Sequence, residues 1–186
     1  QSTGAALPIT QEAPADGIAI YVGAAPAGLD LDPADLDDDG FVISFPDAAT
    51  IVILGPSDWG TEFGVCEFLE RFVGVRWVMP GALGTHVPRQ QTIAVSREPV
   101  RSEPSFFSRQ MSGFRGTAQT EWARRNRMHA RVQFHHNLRN LFNFETYVET
   151  HPEFYPLVNG ERFVPDREEG WQPCFTAEGS VEEAAR

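Results

Sequence analysis

Four polar residues follow predicted β-strands, and their types suit the recognition of a small polar ligand. Arg109 lies near the end of one predicted strand, and His135, His136 and Asn137 directly follow the next. A guanidinium can donate a fork of hydrogen bonds to hydroxyls or clamp a carboxylate, while imidazole and amide groups suit hydroxyls. Ligands of parallel-strand folds bind at the carboxyl ends of the strands, so we predict that these four residues bind substrate.

Each of these residues also has a purely structural interpretation. Arg109 could form an ion pair beneath the site, and the histidines could anchor a loop. Because alternate residues of a strand point to opposite sides, at most one of His135 and His136 can face the site. Adjacent histidines chelate poorly and no third ligand is evident, so we predict no metal site.

An acidic segment and a basic segment are two further candidates for a site that binds ions. Residues 35–40 read DLDDDG, the beginning of a calcium-loop pattern, but the twelfth position is Pro46 instead of glutamate. An acidic turn is therefore favoured over a calcium site. The basic segment carries Arg124, Arg125 and Arg127 on a predicted helix, where a solvated, ion-paired face is favoured over an anion site.

Composition excludes several function classes. The chain has 186 residues, 41% of them hydrophobic, and a net charge of −11. Such negative charge opposes binding to phosphates, so we predict no nucleic-acid partner. No apolar run approaches the ~20 residues of a membrane span, and we predict none. No cofactor is predicted, and Cys66 and Cys174 are expected to be buried thiols.

The first half of the sequence predicts a small α/β sandwich domain at residues 17–98, after a loose lead-in at residues 1–16. One helix, which begins with Asp58 as its N-cap and is followed by Gly74, has apolar residues at helical spacing. Short apolar runs indicate strands at residues 17–23, 41–45, 50–54, 75–79 and 92–95. The predicted core comprises Ile20, Val42, Ile51, Ile53, Phe63, Leu69 and Trp77.

The second half, residues 99–186, has the rhythm of parallel βαβ units after a charged linker. Helices are predicted at residues 119–130, at 143–150 after the cap Asn143, and from a capping-box pattern at Ser180. Strands are predicted at residues 106–111, 131–134 and 172–175, and Asn-Gly within 157–163 predicts a hairpin. This gives about two and a half of the eight units of a closed barrel, so we predict the first units of an incomplete (β/α)8 TIM barrel.

Two stretches resemble known families. The sequence GTEFGVCEFLERFVGVRW at residues 60–77 is similar to the N-terminal domain of hexosaminidase-like and α-glucuronidase-like proteins. The sequence HPEFYPLVNGER at residues 151–162 resembles a bacterial family described only as a domain of unknown function, DUF4838. That resemblance implies the same N-terminal domain followed by a glycoside-hydrolase-like barrel, in which the catalytic acids follow later strands.

The resemblance therefore implies the N-terminal portion of a glycoside hydrolase that acts on hexosaminide- or uronate-containing glycans. Its two catalytic carboxylates are expected beyond residue 186, so we expect the chain alone to be inactive. The expected partners are an oligo- or polysaccharide and either the remainder of the barrel or another copy of the chain. A secreted or periplasmic location is expected. The alternative is a non-catalytic glycan-binding or structural surface module.

Overall fold

The computed structural model describes residues 2–12, 14, 16–113, 115–132, 138–164 and 171–185. The chain divides into two compact units, residues 1–131 and residues 132–186, which are described separately below. The boundary predicted between residues 98 and 99 stays a prediction. The residues that follow it, Val100–Ser102, form an edge strand in the sheet of the first unit.

A four-stranded mixed sheet forms the centre of the first unit. Its strands are β1 (Ala19–Val22), β2 (Phe41–Ser44), β3 (Thr50–Leu54) and β6 (Val100–Ser102), in the order β1-β3-β2-β6. Strands β1 and β3 are parallel, whereas β2 is antiparallel to both β3 and β6. In the turn between β2 and β3, an Asp47 carboxylate oxygen accepts a hydrogen bond from the Ala49 backbone N–H at 2.8 Å.

One long helix covers this sheet. Helix α1 spans Asp58–Phe68 and continues as a π-helical turn at Leu69–Val73, after which Gly74 adopts the left-handed conformation with φ 84°. The predicted N-cap at Asp58 is wrong by one residue. The Ser57 hydroxyl caps the helix by accepting from the Gly60 N–H at 3.2 Å, which is the usual way for serine to satisfy a free helical donor.

The core lies between α1 and the sheet. Five of the predicted core residues are buried: Val42, Ile51, Ile53, Phe63 and Trp77. All except Val42 belong to the cluster between the helix and the sheet, because alternate residues of a strand point to opposite faces. Leu69 is half-buried against them. The prediction for Ile20 is wrong, because this side chain is 40% exposed on edge strand β1. The helix packs on β2 and β3, which leaves the outer strand partly uncovered.

Several predicted strands of the first unit are absent. Residues 75–79 shorten to β4 (Arg76–Trp77), which pairs with β5 (Thr85–His86), and neither residues 92–95 nor residues 106–111 form strands. The side chains of Ile93 and Val95 still pack on the core. The predicted basic helix is confirmed as α2, which spans Thr117–Arg125 and so ends before the predicted end at residue 130.

The second unit consists of short elements. They are α3 (Leu138–Leu141), α4 (Phe144–Tyr147), a 3-10 turn (Pro152–Phe154), β7 (Leu157–Val158), β8 (Glu161–Arg162) and α5 (Ser180–Ala184). The Asn-Gly hairpin is confirmed, with Asn159 and Gly160 both at positive φ, as is the cap at Asn143. The strand predicted at residues 172–175 is absent, and the predicted capping box is wrong, because the Ser180 hydroxyl donates to the Ala177 carbonyl instead.

The observed class is therefore mixed α/β, with one small mixed sheet and few helices. The strand predicted at residues 131–134 lies partly outside the described residues. Among the described residues, none of the helices combines the length and the apolar character that crossing a membrane requires.

Candidate functional site

Arg109, the predicted binding residue of the first unit, is held by three hydrogen bonds within the protein. Its Nε donates to the Arg127 carbonyl at 2.8 Å and its Nη1 to the Phe106 carbonyl at 2.9 Å. Its Nη2 donates to the Asp39 carboxylate at 2.6 Å. The guanidinium also lies 5.7 Å from the centre of the Phe63 ring. This geometry fixes the side chain in one orientation.

Asp39 joins Arg109 to a histidine. The Asp39 side chain is fully buried, and its second carboxylate oxygen lies 2.8 Å from Nδ1 of His129. When Nδ1 carries a proton, it donates to the carboxylate and directs Nε2 away from it. The imidazole stacks on the Trp59 indole with ring centres 3.8 Å apart. Neither Asp39 nor His129 was predicted as a site residue, because the role of each depends on a partner about ninety residues away in the chain.

The acidic turn at residues 35–40 is neutralised by basic residues of the same unit. Both Asp37 carboxylate oxygens accept from Arg131, at 2.7 and 2.9 Å, and Asp35 pairs with Arg101. The backbone N–H of Asp39 and then Arg131 hold the pKa of the Asp37 carboxyl below its usual value. Among the described residues, no group of three or more potential ligands could hold a metal ion. The carboxylates of Asp35 and Asp37 are paired with arginines, as an ion-paired acidic turn would have them.

The three arginines of the predicted basic helix also have acidic partners, although Arg127 lies just beyond the end of α2. Arg124 pairs with Glu62 and Arg127 with Glu67 and Glu70, all on α1 or its π-helical extension. The ion-paired interpretation of this segment is thus confirmed. Arg125 pairs with Glu121 of α2 itself, whereas the partners of Arg124 and Arg127 lie on the other helix and make an intramolecular contact within the first unit.

The other three predicted binding residues, His135, His136 and Asn137, lie outside the described residues. The binding roles of all four residues therefore stay predictions.

The second unit contains an open cleft with a volume of about 750 Å³. Charged and polar side chains line it, together with Phe154 and small residues of the turn before α5. The ionisable lining residues are His151, Glu153, Arg162, Glu178, Glu182 and Glu183. This volume is within the range of small-molecule sites. Residues 151–162 carry one of the two family resemblances of the sequence, but their spacing did not predict a cleft.

An aromatic cluster supports one wall of the cleft. The His151 ring stacks on Phe154, with ring centres 4.9 Å apart, and Phe154 itself is buried against Phe142. The Tyr147 hydroxyl donates to Glu183 at 2.6 Å, a distance typical of a charge-assisted bond. These contacts fix the position of two side chains that line the cleft.

Arg162 of the hairpin β7–β8 supplies a positive charge to the cleft. Arg162 donates from Nη1 to the Tyr155 carbonyl at 2.6 Å, which anchors the guanidinium to the buried backbone.

Hydrogen bonds from Thr176 and then Arg162 lower the pKa of the Cys174 thiol. Cys174 is half-buried, so its prediction as a buried thiol is wrong, whereas the prediction for Cys66 is confirmed. Burial raises the pKa of the Cys66 thiol to about 11.

The cleft can therefore donate hydrogen bonds to a ligand and also accept them from it. Its carboxylates accept, the guanidinium donates, and the imidazole can do either. This combination suits a ligand with many hydroxyl groups, each of which both donates and accepts.

A protein-family model matches the C-terminal part of the chain. Neither a curated protein nor a solved structure matches the chain significantly. The model of the family described as "Domain of unknown function (DUF4838)" matches residues 79–186, which is more than half of the 186-residue chain and includes the whole cleft. The chain therefore belongs to the DUF4838 family.

Proposed function

We propose that this chain is the N-terminal portion of a carbohydrate-active enzyme, a glycoside hydrolase that acts on hexosaminide- or uronate-containing glycans. Within it, the cleft of the second unit contacts sugar. In this proposal the second unit leads into a (β/α)8 barrel, and the catalytic carboxylates are contributed by sequence that follows residue 186. A secreted or periplasmic location belongs to the same proposal.

The observation that carries the proposal is the cleft within the family-matched segment. Its walls combine carboxylates, a guanidinium and an imidazole around about 750 Å³ of space. Sugars present hydroxyls that need donors and acceptors from several directions, and small-molecule sites use a few convergent polar groups in this way. The similarity of residues 60–77 to the N-terminal domains of hexosaminidase-like proteins supports a carbohydrate role.

Binding by the chain itself tests the sugar contact. Titration of the 186-residue chain with hexosaminide and uronate oligosaccharides, followed by NMR, should shift the resonances of Arg162 and Glu183. Arg162→Met should weaken that binding, whereas Arg97→Met, a matched change in the first unit, should leave it unaltered. If no sugar of either class shifts these resonances, the cleft is not a sugar site.

Hydrolysis by the natural-length gene product tests the enzyme. We expect turnover of an aryl hexosaminide or an aryl uronide by that protein and none by residues 1–186 alone. The alternative, a glycan-binding or structural surface module, predicts sugar binding without turnover in both proteins. Turnover by the isolated chain that is lost on substitution of one of its own residues would refute the division of labour proposed here.

A further inference from the structure

We propose that residues 104–131, named the strap below, open and close on the rest of the first unit as one piece, and that the ionic strength of the solution sets this balance. The sheet and α1 stay folded in the open form. The proposal concerns the first unit alone and does not depend on the proposed sugar contact of the second unit.

The strap contributes little apolar surface to the core. Among its described residues, which leave out only residue 114, none is buried. Trp122 packs on the core cluster but is itself only partly buried, while Phe106, Phe107 and Met111 are more than half exposed. Segments with few buried apolar contacts open at a lower free energy than the core does. The strap can therefore open without unfolding of the sheet.

Ion pairs hold the strap against the acidic turn and against α1 with its π-helical extension. Four of its arginines take part: Arg109 pairs with Asp39, Arg124 with Glu62, Arg127 with Glu67 and Glu70, and Arg131 with Asp37. The side chains of these arginines are between 15% and 45% exposed, so water and ions reach each of them. Salt screens charge pairs that the solvent reaches, and added salt should therefore favour the open form.

Hydrogen bonds within the strap join its two ends to each other. The backbone N–H of Arg109 donates to the His129 carbonyl at 2.9 Å, and the N–H of Arg131 donates to the Ser108 hydroxyl at 3.0 Å. Helix α2 lies between these ends. Because each end holds the other, the loss of one ion pair affects the whole segment, and the strap opens as one piece.

Opening of the strap exposes an aromatic and acidic surface. In the closed form, the His129 ring stacks on the Trp59 indole, and the Arg124 guanidinium lies 5.0 Å from the centre of the same indole. The carboxylate of Asp39 loses Arg109 and His129 on opening, but water can then solvate it. The second unit begins directly after the strap, so release of the strap also lengthens the linker that precedes that unit.

Hydrogen exchange of the 186-residue chain, measured by NMR, tests the proposal. Helix α2 has only nine residues and is too short to be stable alone, so its amides exchange once the strap has left α1. Between about 0.05 M and about 1 M sodium chloride, exchange of the Arg109 and α2 amides should speed up together, by about tenfold. Exchange of the amides of β2 and β3 should change less than about twofold, because apolar contacts hold these strands.

A matched pair of variants tests the role of the ion pairs. Arg127→Met removes the contacts with two glutamates and should speed up strap exchange about tenfold at low salt. Arg125→Met removes the same charge from the strap, but its guanidinium pairs only with Glu121 of α2 itself, so it should change this exchange less than about threefold. Arg127→Lys keeps the charge and should restore most of the protection.

Each alternative gives a different result. Equal acceleration of the strap and the sheet by salt would show that the unit opens only as a whole and would overturn the proposal. Strap exchange that does not respond to salt, or equal effects of Arg125→Met and Arg127→Met, would overturn the role of the ion pairs. Exchange of α2 at the rate of an unstructured peptide at low salt would show that the strap never closes.

Discussion

Replacing Asp39 by asparagine should destabilise the first unit strongly. This carboxylate is fully buried and accepts from Arg109 at 2.6 Å and from His129 at 2.8 Å. Asparagine keeps the shape but removes the charge, and its amide nitrogen is a donor that cannot accept from either partner. Asp39→Asn therefore leaves the Arg109 guanidinium facing a neutral group in a largely enclosed site.

The magnitude follows from the burial of the three groups. Removing one partner of a buried pair costs about 3–5 kcal/mol. The side chains of Arg109 and His129 are 19% and 20% exposed, so water can partly solvate them after the substitution. We therefore expect a loss of about 3 kcal/mol, the lower end of the range. For a chain of this length, that corresponds to a decrease in Tm of about 6–12 °C.

Urea denaturation followed by tryptophan fluorescence measures this loss, because Trp59 stacks on His129 and reports on the site. Asp38→Asn is the matched control: it lies in the same turn, but its side chain is 71% exposed and its contact with Arg131 is long, at 3.3 Å. It should change the midpoint little. In a double-mutant cycle, Asp39→Asn and Arg109→Met should be strongly non-additive. Equal midpoints for Asp39→Asn and Asp38→Asn, or strict additivity in the cycle, would refute the reasoning.

Four further outcomes are expected. Gly60→Ala should destabilise the protein severely, because a Cβ there would lie 2.1 Å from the Gly40 carbonyl oxygen; thermal melting measures it. Leu69→Ala should cost about 2 kcal/mol in urea denaturation, since the side chain is only half-buried. Cys66 should react with a thiol reagent only on unfolding, because its thiol is buried and its pKa is about 11. Folding lowers the pKa of Asp37, so this carboxylate stabilises the protein fully above its unfolded pKa of 3.8, and the stabilisation is lost as pH falls through the folded pKa. In Asp37→Asn, the free energy of unfolding should therefore depend less on pH in this range, which urea denaturation at several pH values measures.

Local sequence patterns predicted the elements that depend on local chemistry. The strands at β1, β2 and β3 and the helix α1 followed from apolar runs and helical spacing. The Asn159-Gly160 hairpin followed from the need for positive φ at both turn positions. In each case, neighbouring residues alone determine the outcome.

The errors concern segments whose conformation is set by distant contacts. Residues 92–95 have the alternation of a strand, and Ile93 and Val95 do pack on the core, yet no neighbouring strand pairs with them. Apolar patterning reports burial and not hydrogen-bond partners, so it cannot distinguish a strand from an extended segment that packs on a core. Ser57 replaced Asp58 as the cap because both residue types are good caps, and the backbone geometry decided between them.

At the candidate site, too, local sequence patterns indicated single residues but not their distant partners. Arg109 was noticed because of its position, but its partner Asp39 appeared in the sequence only as the last acid of a calcium-like turn. The DLDDDG pattern fixes the number of carboxylates and not the cations that neutralise them. Here arginines and a histidine from residues 101–131 fill that role.

The ion pairs of the first unit explain why this unit extends to residue 131. Those that join distant parts of the chain have their acids at residues 35–70 and their bases at residues 101–131. The acids lie in the acidic turn and on α1 with its extension, and the bases lie on β6, on α2 and in the segments on either side of α2. Together they neutralise one another across the contact between α1, the acidic turn and the segment that follows β6. Charge complementarity, added to the pairing of β6 with β2, therefore accounts for the inclusion of residues 99–131 in a unit whose apolar core is built almost entirely from residues 41–77.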